Sequence, residues 1–194
     1  VVKVQRNLGV FVNIGLPNKD VVVSMDDMPA MAELWPAKGD RLMVALSVDD
    51  KGRIWGKLAT DSMFHGVSDK ADASMKNKDV TATVYMLKIT GTHVITSDYQ
   101  LGFIHPSERE VEPRLGEVVN ARVIGINSRG ELNLSLKPRA FEAIGDDAQM
   151  ILAALQHSQA HVLPYTDKSQ PDEIKAYFGI SKGAFKRAVG HLMK

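Results

Sequence analysis

The chain has 194 residues, 24 of them Lys or Arg against 23 Asp or Glu, for a formal charge of +1, and it contains no cysteine. Near-neutrality excludes bulk, histone-like attraction to nucleic acid and leaves any such affinity to local patches. The missing thiols exclude disulfides, a thiolate zinc site and a cysteine nucleophile, which makes a reducing cytoplasm the expected compartment. At 44% hydrophobic and 24% charged, with no apolar run near the roughly 20 residues of a membrane span, the composition is that of a soluble globular protein with no membrane partner.

The opening Val1-Val2-Lys3-Val4 has neither an initiator Met nor a signal-peptide pattern, and reads as a cut inside a strand. Over residues 1–60, short β-branched runs such as Val10-Phe11-Val12 and Val21-Val22-Val23 alternate with Gly, Pro, Asn and Asp turns, which predicts a β-rich module. Residues 61–79 are rich in Ser, Asp and Lys and predict a linker with room for a short helix. The β-rich pattern returns over 80–139. After Pro138 the period changes: Ala148, Ile151, Leu152 and Leu155 recur at steps of three and four, so 140–194 is expected to be a separate helical unit.

The two β-rich stretches are copies of each other. Lys38-Gly39-Asp40 matches Leu115-Gly116-Glu117, and the turn Asp49-Asp50-Lys51-Gly52 matches Asn127-Ser128-Arg129-Gly130. Leu8-Gly9-Val10-Phe11-Val12 corresponds to Thr90-Gly91-Thr92-His93-Val94, and Val22-Val23-Ser24 to Phe103-Ile104-His105. Each copy is about 55 residues, the size of a five-stranded OB barrel.

At this point the residues carry a resemblance. Gly102 to Glu108, Gly116 and Gly130 to Lys137 are similar to the S1-type RNA-binding domain of ribosomal protein S1. Together with Trp35 to Asp40, Asp167-Lys168-Ser169 and Ile180-Ser181-Lys182, they resemble the bacterial conserved virulence factor B (CvfB) family, which joins S1-type domains to a C-terminal winged helix and is taken to bind RNA. The resemblance implies a mainly β chain with an α C-terminus: two tandem S1-type OB barrels, then a winged-helix-like unit. It also implies an RNA-binding regulator of gene expression. Two parts of the family pattern, a leading OB-type domain and the wing hairpin after the last helix, are absent from these 194 residues.

Side chains alternate faces along a half-buried strand, so Phe103 and His105 face outward while Ile104 enters the core. By the same alternation Phe11 and Asn13 oppose Val10, Val12 and Ile14, and His93 opposes Thr92 and Val94. Bases of a single strand stack on outward aromatics of such barrels without regard to sequence. S1-type domains place an aromatic at the positions of Phe11 and Phe103, and the resemblance carries that role over to them. Repeat one has Val22 and Ser24 in place of Phe103 and His105, so repeat two is expected to be the better binder. Phe11 has a second reading, packing against the neighbouring module. Phosphate-neutralising candidates are Lys88, Arg122 and Lys137 in repeat two and Lys3, Arg6 and Lys57 in repeat one, each of which also reads as a solvated surface charge.

In the helical unit, Ser169 is expected to cap a helix with Pro171, Asp172 and Glu173 in its first turn, ending near Phe178-Gly179. Ser181 caps a second helix with an apolar stripe of Ala184, Phe185, Ala188, Val189 and Leu192. Lys182, Lys186, Arg187 and Lys194 lie off that stripe, and no acid falls within 181–194. A basic helix after a Gly turn reads as an auxiliary nucleic-acid contact, to RNA or DNA, or as a protein interface. No catalytic residue, metal ligand set or cofactor is expected. His157 and His161 lack the Glu of a zinc helix, and Gly52 to Leu58 has the wrong spacing for a phosphate loop. The acidic pairs Asp26-Asp27, Asp49-Asp50 and Asp146-Asp147 sit at turns or helix starts. Two other classes stay open: a scaffold in a ribosome or ribonuclease assembly, and a duplex-DNA regulator led by the last helix.

Overall fold

Period-two apolar runs become strands and the Gly turns become hairpins through the first 137 residues. The computed structural model describes residues 1–139, 143–158 and 161–193, in two units, Val1–Lys137 and Pro138–Lys194. The first module holds β1 (Lys3–Gln5), β2 (Gly9–Asn13), β3 (Asp20–Ser24), β4 (Val44–Val48) and β5 (Ile54–Leu58), in the order β1-β2-β3-β5-β4. Its core is Val10, Val12, Val21, Val23 and Met28.

The second module holds β6 (Asp79–Lys88), β7 (Gly91–Thr96), β8 (Leu101–Ile104), β9 (Val118–Ile126) and β10 (Leu132–Ser135), closed into a barrel in the order β10-β8-β7-β6-β9. Val84, Val94, Ile104, Val123, Leu132 and Leu134 fill it. Closure depends on strand length. The ten residues of β6 pair with β9 through Asp79 to Thr83 and with β7 from Ala82 onward. The three residues of β1 all pair with β2, so among the described residues β4 has β5 as its one neighbour and the first module stays open. Leu46 and Val48, on the core side of β4, are accordingly 56% and 68% exposed.

The repeat extends to hydrogen bonds. Asp49 Oδ1 accepts the Lys51 and Arg53 N–H groups, and Asn127 Oδ1 accepts those of Arg129 and Glu131, so both turns fold around the same acceptor geometry. Ser24 and His105 each cap the short 3-10 turn that follows their strand.

The stretch 61–79, expected to link the modules, carries α1 (Asp61–Val67) and packs on the second barrel. Phe64 is buried with Ala59, Ile95 and Leu101, its ring stacked 4.0 Å from that of Tyr85. The two modules are also bonded to each other directly. The Arg41 N–H donates to Gly116 O at 2.8 Å and the Leu115 N–H to Leu34 O at 3.0 Å. The buried Asp40 carboxylate accepts the Ala37 N–H at 2.7 Å and Arg114 Nε and Nη2 at 3.3 Å. Gly116, at φ +81°, sits at this junction because a Cβ there would lie 2.8 Å from Arg41 O.

The helical unit comprises, among the described residues, α2 (Ala143–His157), α3 (Pro171–Phe178) and α4 (Lys182–Leu192), packed through Ala148, Ile151, Ile174, Phe178, Phe185 and Ala188. Leu152 turns outward instead of joining Ala148 and Ile151, and Ala154 packs on the core in the following turn. The N-cap of α3 is Gln170 rather than Ser169, because Pro171 occupies the first helical position and holds the residue before it extended. The Gln170 N–H donates to Glu173 Oε2, while Ser169 Oγ accepts the Thr166 N–H. Ser181 Oγ caps α4 by accepting the Ala184 N–H at 3.2 Å. No helix of the described residues is long and apolar enough to cross a membrane.

Candidate functional site

Register brings the outward side chains of the second barrel together. His93 on β7 lies directly opposite Phe103 on β8, and Phe103 lies beside Asn133 on the parallel strand β10. From α1 across the barrel runs a ladder of rings. Tyr85 and His93 centroids are 6.0 Å apart, His93 and Phe103 5.3 Å, and Phe103 and His105 6.5 Å, all three contacts edge-to-face. Tyr85, His93 and Phe103 border a cleft of about 250 Å³ whose walls also include Asp61 and His65 of α1, Lys88 at the end of β6, and Asn127, Arg129, Glu131 and Asn133.

The ladder is held from behind. Gly91, at φ +150°, has no side chain between its backbone and the Phe103 ring, and a Cβ there would fall 2.5 Å from Phe103 Cζ. The Tyr85 hydroxyl donates to Asp61 Oδ1 at 3.1 Å, and burial together with the Asp61 charge raises the phenol above its ordinary pKa. His93 is held below the ordinary histidine value, first by burial and then by the Lys88 charge, so a neutral ring stands beside Phe103 at neutral pH. His105 is anchored rather than loose, with Nδ1 accepting the Ser107 N–H at 3.1 Å. Stacking surface at the centre and cations at the rim, Lys88 and Arg129, give the cleft the means to hold a planar ring that carries a phosphate.

Of the residues singled out from the sequence, the cleft and its ring ladder bring together Lys88, His93, Phe103 and His105. Arg122 and Lys137 do not line it. Arg122 lies on β9 opposite Asp79 and Ser135, and Lys137 follows β10 as an exposed side chain. Sequence reasoning missed Asp61, His65, Tyr85, Arg129 and Asn133. Tyr85 had a signal: it alternates with the buried Ala82 and Val84 and shares the outward phase of Thr83.

The first module carries a second aromatic face. Phe11, Val22 and Trp55 occupy one cross-strand row of β2, β3 and β5, and the Lys3 ammonium lies 5.4 Å from the Phe11 centroid. The Trp55 indole N–H donates to Asp49 Oδ2 at 3.0 Å, and Asp49 also holds Arg53, whose guanidinium lies 5.5 Å from the indole. The Arg53 backbone N–H, ahead of the Trp55 and Arg53 side chains, lowers the Asp49 carboxyl to about 2. Trp55 therefore adds an aromatic to a module that has Val22 and Ser24 where the second has Phe103 and His105.

On α4, Lys186 and Arg187 are exposed and Lys182 is half-buried. Lys186 Nζ comes within 4.0 Å of Asp167 Oδ2, so one of the three cations has an acidic neighbour. Lys194 lies outside the described residues.

Three family descriptions match in tandem: "CvfB first S1-like domain" over residues 1–57, "Virulence regulatory factor CvfB, second domain" over 64–138, and "CvfB-like winged helix domain" over 149–194. The second of these takes in most of α1. Conserved virulence factor B of Staphylococcus epidermidis is 43% identical over the whole chain, and the uncharacterized protein YitL of Bacillus subtilis (strain 168) is 45% identical over 97% of it. The chain spans 63–64% of the length of these curated relatives. A crystal structure of a multidomain protein with nucleic acid binding domains from Streptococcus pneumoniae is 52% identical, with a TM-score of 0.71 over 100% of this chain and 68% of that one.

Proposed function

Since the chain belongs to the CvfB family of virulence regulatory factors, with S1-like domains and a winged-helix domain in succession, we propose that it is a regulatory protein that binds single-stranded RNA on the outer faces of its two β modules. The observation that carries this reading is the ring ladder Tyr85, His93, Phe103 and His105 beside the cleft walled by Lys88 and Arg129. Edge-to-face contact leaves ring faces available to incoming bases, and each base stacked contributes about 1–3 kcal/mol. The Phe11, Val22 and Trp55 row is the corresponding surface of the first module. Kinship with a pneumococcal protein described by its nucleic acid binding domains supports the same ligand class. The winged-helix unit acts as an auxiliary contact through Lys182, Lys186 and Arg187. The chain works without catalysis or a cofactor, in the cytoplasm.

The test is a titration of single-stranded RNA against duplex DNA at two salt concentrations, with the parent chain and the double variant Phe103→Ala, His105→Ala. RNA should bind more tightly than duplex, and the double variant should lose about 1–3 kcal/mol of RNA affinity while melting like the parent. Unchanged RNA affinity in a folded double variant removes the stacking site. Tighter binding to duplex, lost on changing Lys186 and Arg187 to Ala, would replace this reading with that of a DNA regulator.

A further inference from the structure

The helical unit has an aromatic surface that the RNA reading does not use. Tyr177 on α3 is 55% exposed, and its ring lies 4.8 Å from that of Tyr165 with the planes tilted by 38°. The two rings wall a groove of about 450 Å³ completed by Pro164, Glu173 and Ala176. Glu173 and Tyr177 are four residues apart, so carboxylate and ring share one side of the helix. Glu173 Oε2 accepts the Gln170 N–H at 3.2 Å, while Oε1 has no partner among the described residues.

The charge around this groove selects its occupant. Asp172 and Glu173 stand in the first turn of α3, whose one cation, Lys175, does not line the groove, and the cations Lys182, Lys186 and Arg187 belong to α4. A phosphate in the groove would meet a carboxylate. A planar cation would meet the exposed Tyr177 ring, with the Tyr165 ring beside it, and a carboxylate oxygen, and at the Tyr177 end it would lie near the C-terminal carbonyls of α3, where positive charge is favoured. Guanidinium suits such a site better than ammonium, because it stacks on a ring and keeps its edge N–H groups for the carboxylate.

We propose that the Tyr165–Tyr177 groove is a docking site for an arginine side chain in a basic segment of a partner protein. The unit then has two working surfaces of opposite charge, α4 toward nucleic acid and α3 toward protein.

The test titrates a fluorescein-labelled Gly-Arg-Gly-Arg-Gly peptide into the full chain by anisotropy, beside its lysine and citrulline counterparts. The arginine peptide should bind about fivefold more tightly than the citrulline peptide, with lysine between them. Tyr177→Ala and Glu173→Gln should each weaken it by about fivefold, while Tyr177→Phe, which keeps the ring, should bind like the parent. Gln retains an acceptor for the helix cap, so Glu173→Gln should keep the parental helix signal and melting temperature. RNA affinity should stay parental in Glu173→Gln. Equal binding of the citrulline peptide, or parental peptide affinity in both Tyr177→Ala and Glu173→Gln, overturns the assignment. A loss of RNA affinity in both variants with peptide binding intact would give the groove to nucleic acid instead.

Discussion

Gly91 decides where Phe103 lies. Its φ of +150° is a conformation that side-chain-bearing residues rarely adopt, and an added Cβ would meet both the Phe103 ring and Ile104 O at about 2.6 Å. Gly91→Ala should therefore destabilise the barrel by about 1–3 kcal/mol in urea unfolding and weaken RNA binding further by shifting the ring. Its neighbour in the ladder gives a pH signature. The folded pKa of His93 is lowered, so as pH falls the unfolded chain takes up the proton first. Stability then falls as pH drops from about 6.5, the ordinary value, toward the folded value, and levels off below it. Replacing His93 with Asn should flatten this part of the stability-against-pH curve, measured by chemical unfolding at a series of pH values. A slope equal to the parent's would mean that other groups carry it.

At the scale of elements, α1 is the piece that converts a barrel face into a cleft. It contributes Asp61 and His65 to the wall and fixes Tyr85 by stacking Phe64 against it. Phe64→Ala should cost about 3–5 kcal/mol, as buried aromatic truncations do, and should loosen RNA binding although Phe64 is not itself in the cleft. Parallel unfolding and RNA titrations check both. The sequence made the strands legible because period-two runs between Gly turns have few other foldings, and it made the repeat legible because Asp49 and Asn127 head turns of the same spacing. It did not reveal that 61–79 docks, since seven helical residues are buried or exposed according to what they meet, and the partners Tyr85, Ile95 and Leu101 lie 21 to 37 residues downstream of Phe64. Trp55 escaped for a related reason. Its neighbour Val22 is reached through a parallel pairing that sequence spacing does not encode. Arg122 was selected for its charge in repeat two, yet a barrel has an outer surface all round, and charge alone does not tell one side from another.

For the whole molecule, the bonds between the β modules matter more than either module alone. Asp40 is a buried acid whose side chain is 10% exposed, and Arg114 is its cross-module partner at 36%. Arg114→Ala would take away the guanidinium counter-charge and leave the carboxylate with its Ala37 bond, at a cost of about 1–3 kcal/mol once the solvent exposure of the arginine is allowed for. The unfolding midpoint tests that figure. A second result follows from how the two faces are fastened. When one module has captured a strand, the other sees the remainder of that strand at a high effective concentration, because no flexible linker dilutes it. Affinity for homopolymeric RNA should rise steeply with oligonucleotide length until both faces are spanned and then level off. Arg114→Ala should leave the shortest oligonucleotides unaffected and lower the plateau. On the RNA-binding reading, the Asp40–Arg114 pair, with the Arg41–Gly116 and Leu115–Leu34 bonds beside it, would act as a length gauge, setting how long a stretch of unpaired RNA must be before the protein holds it firmly.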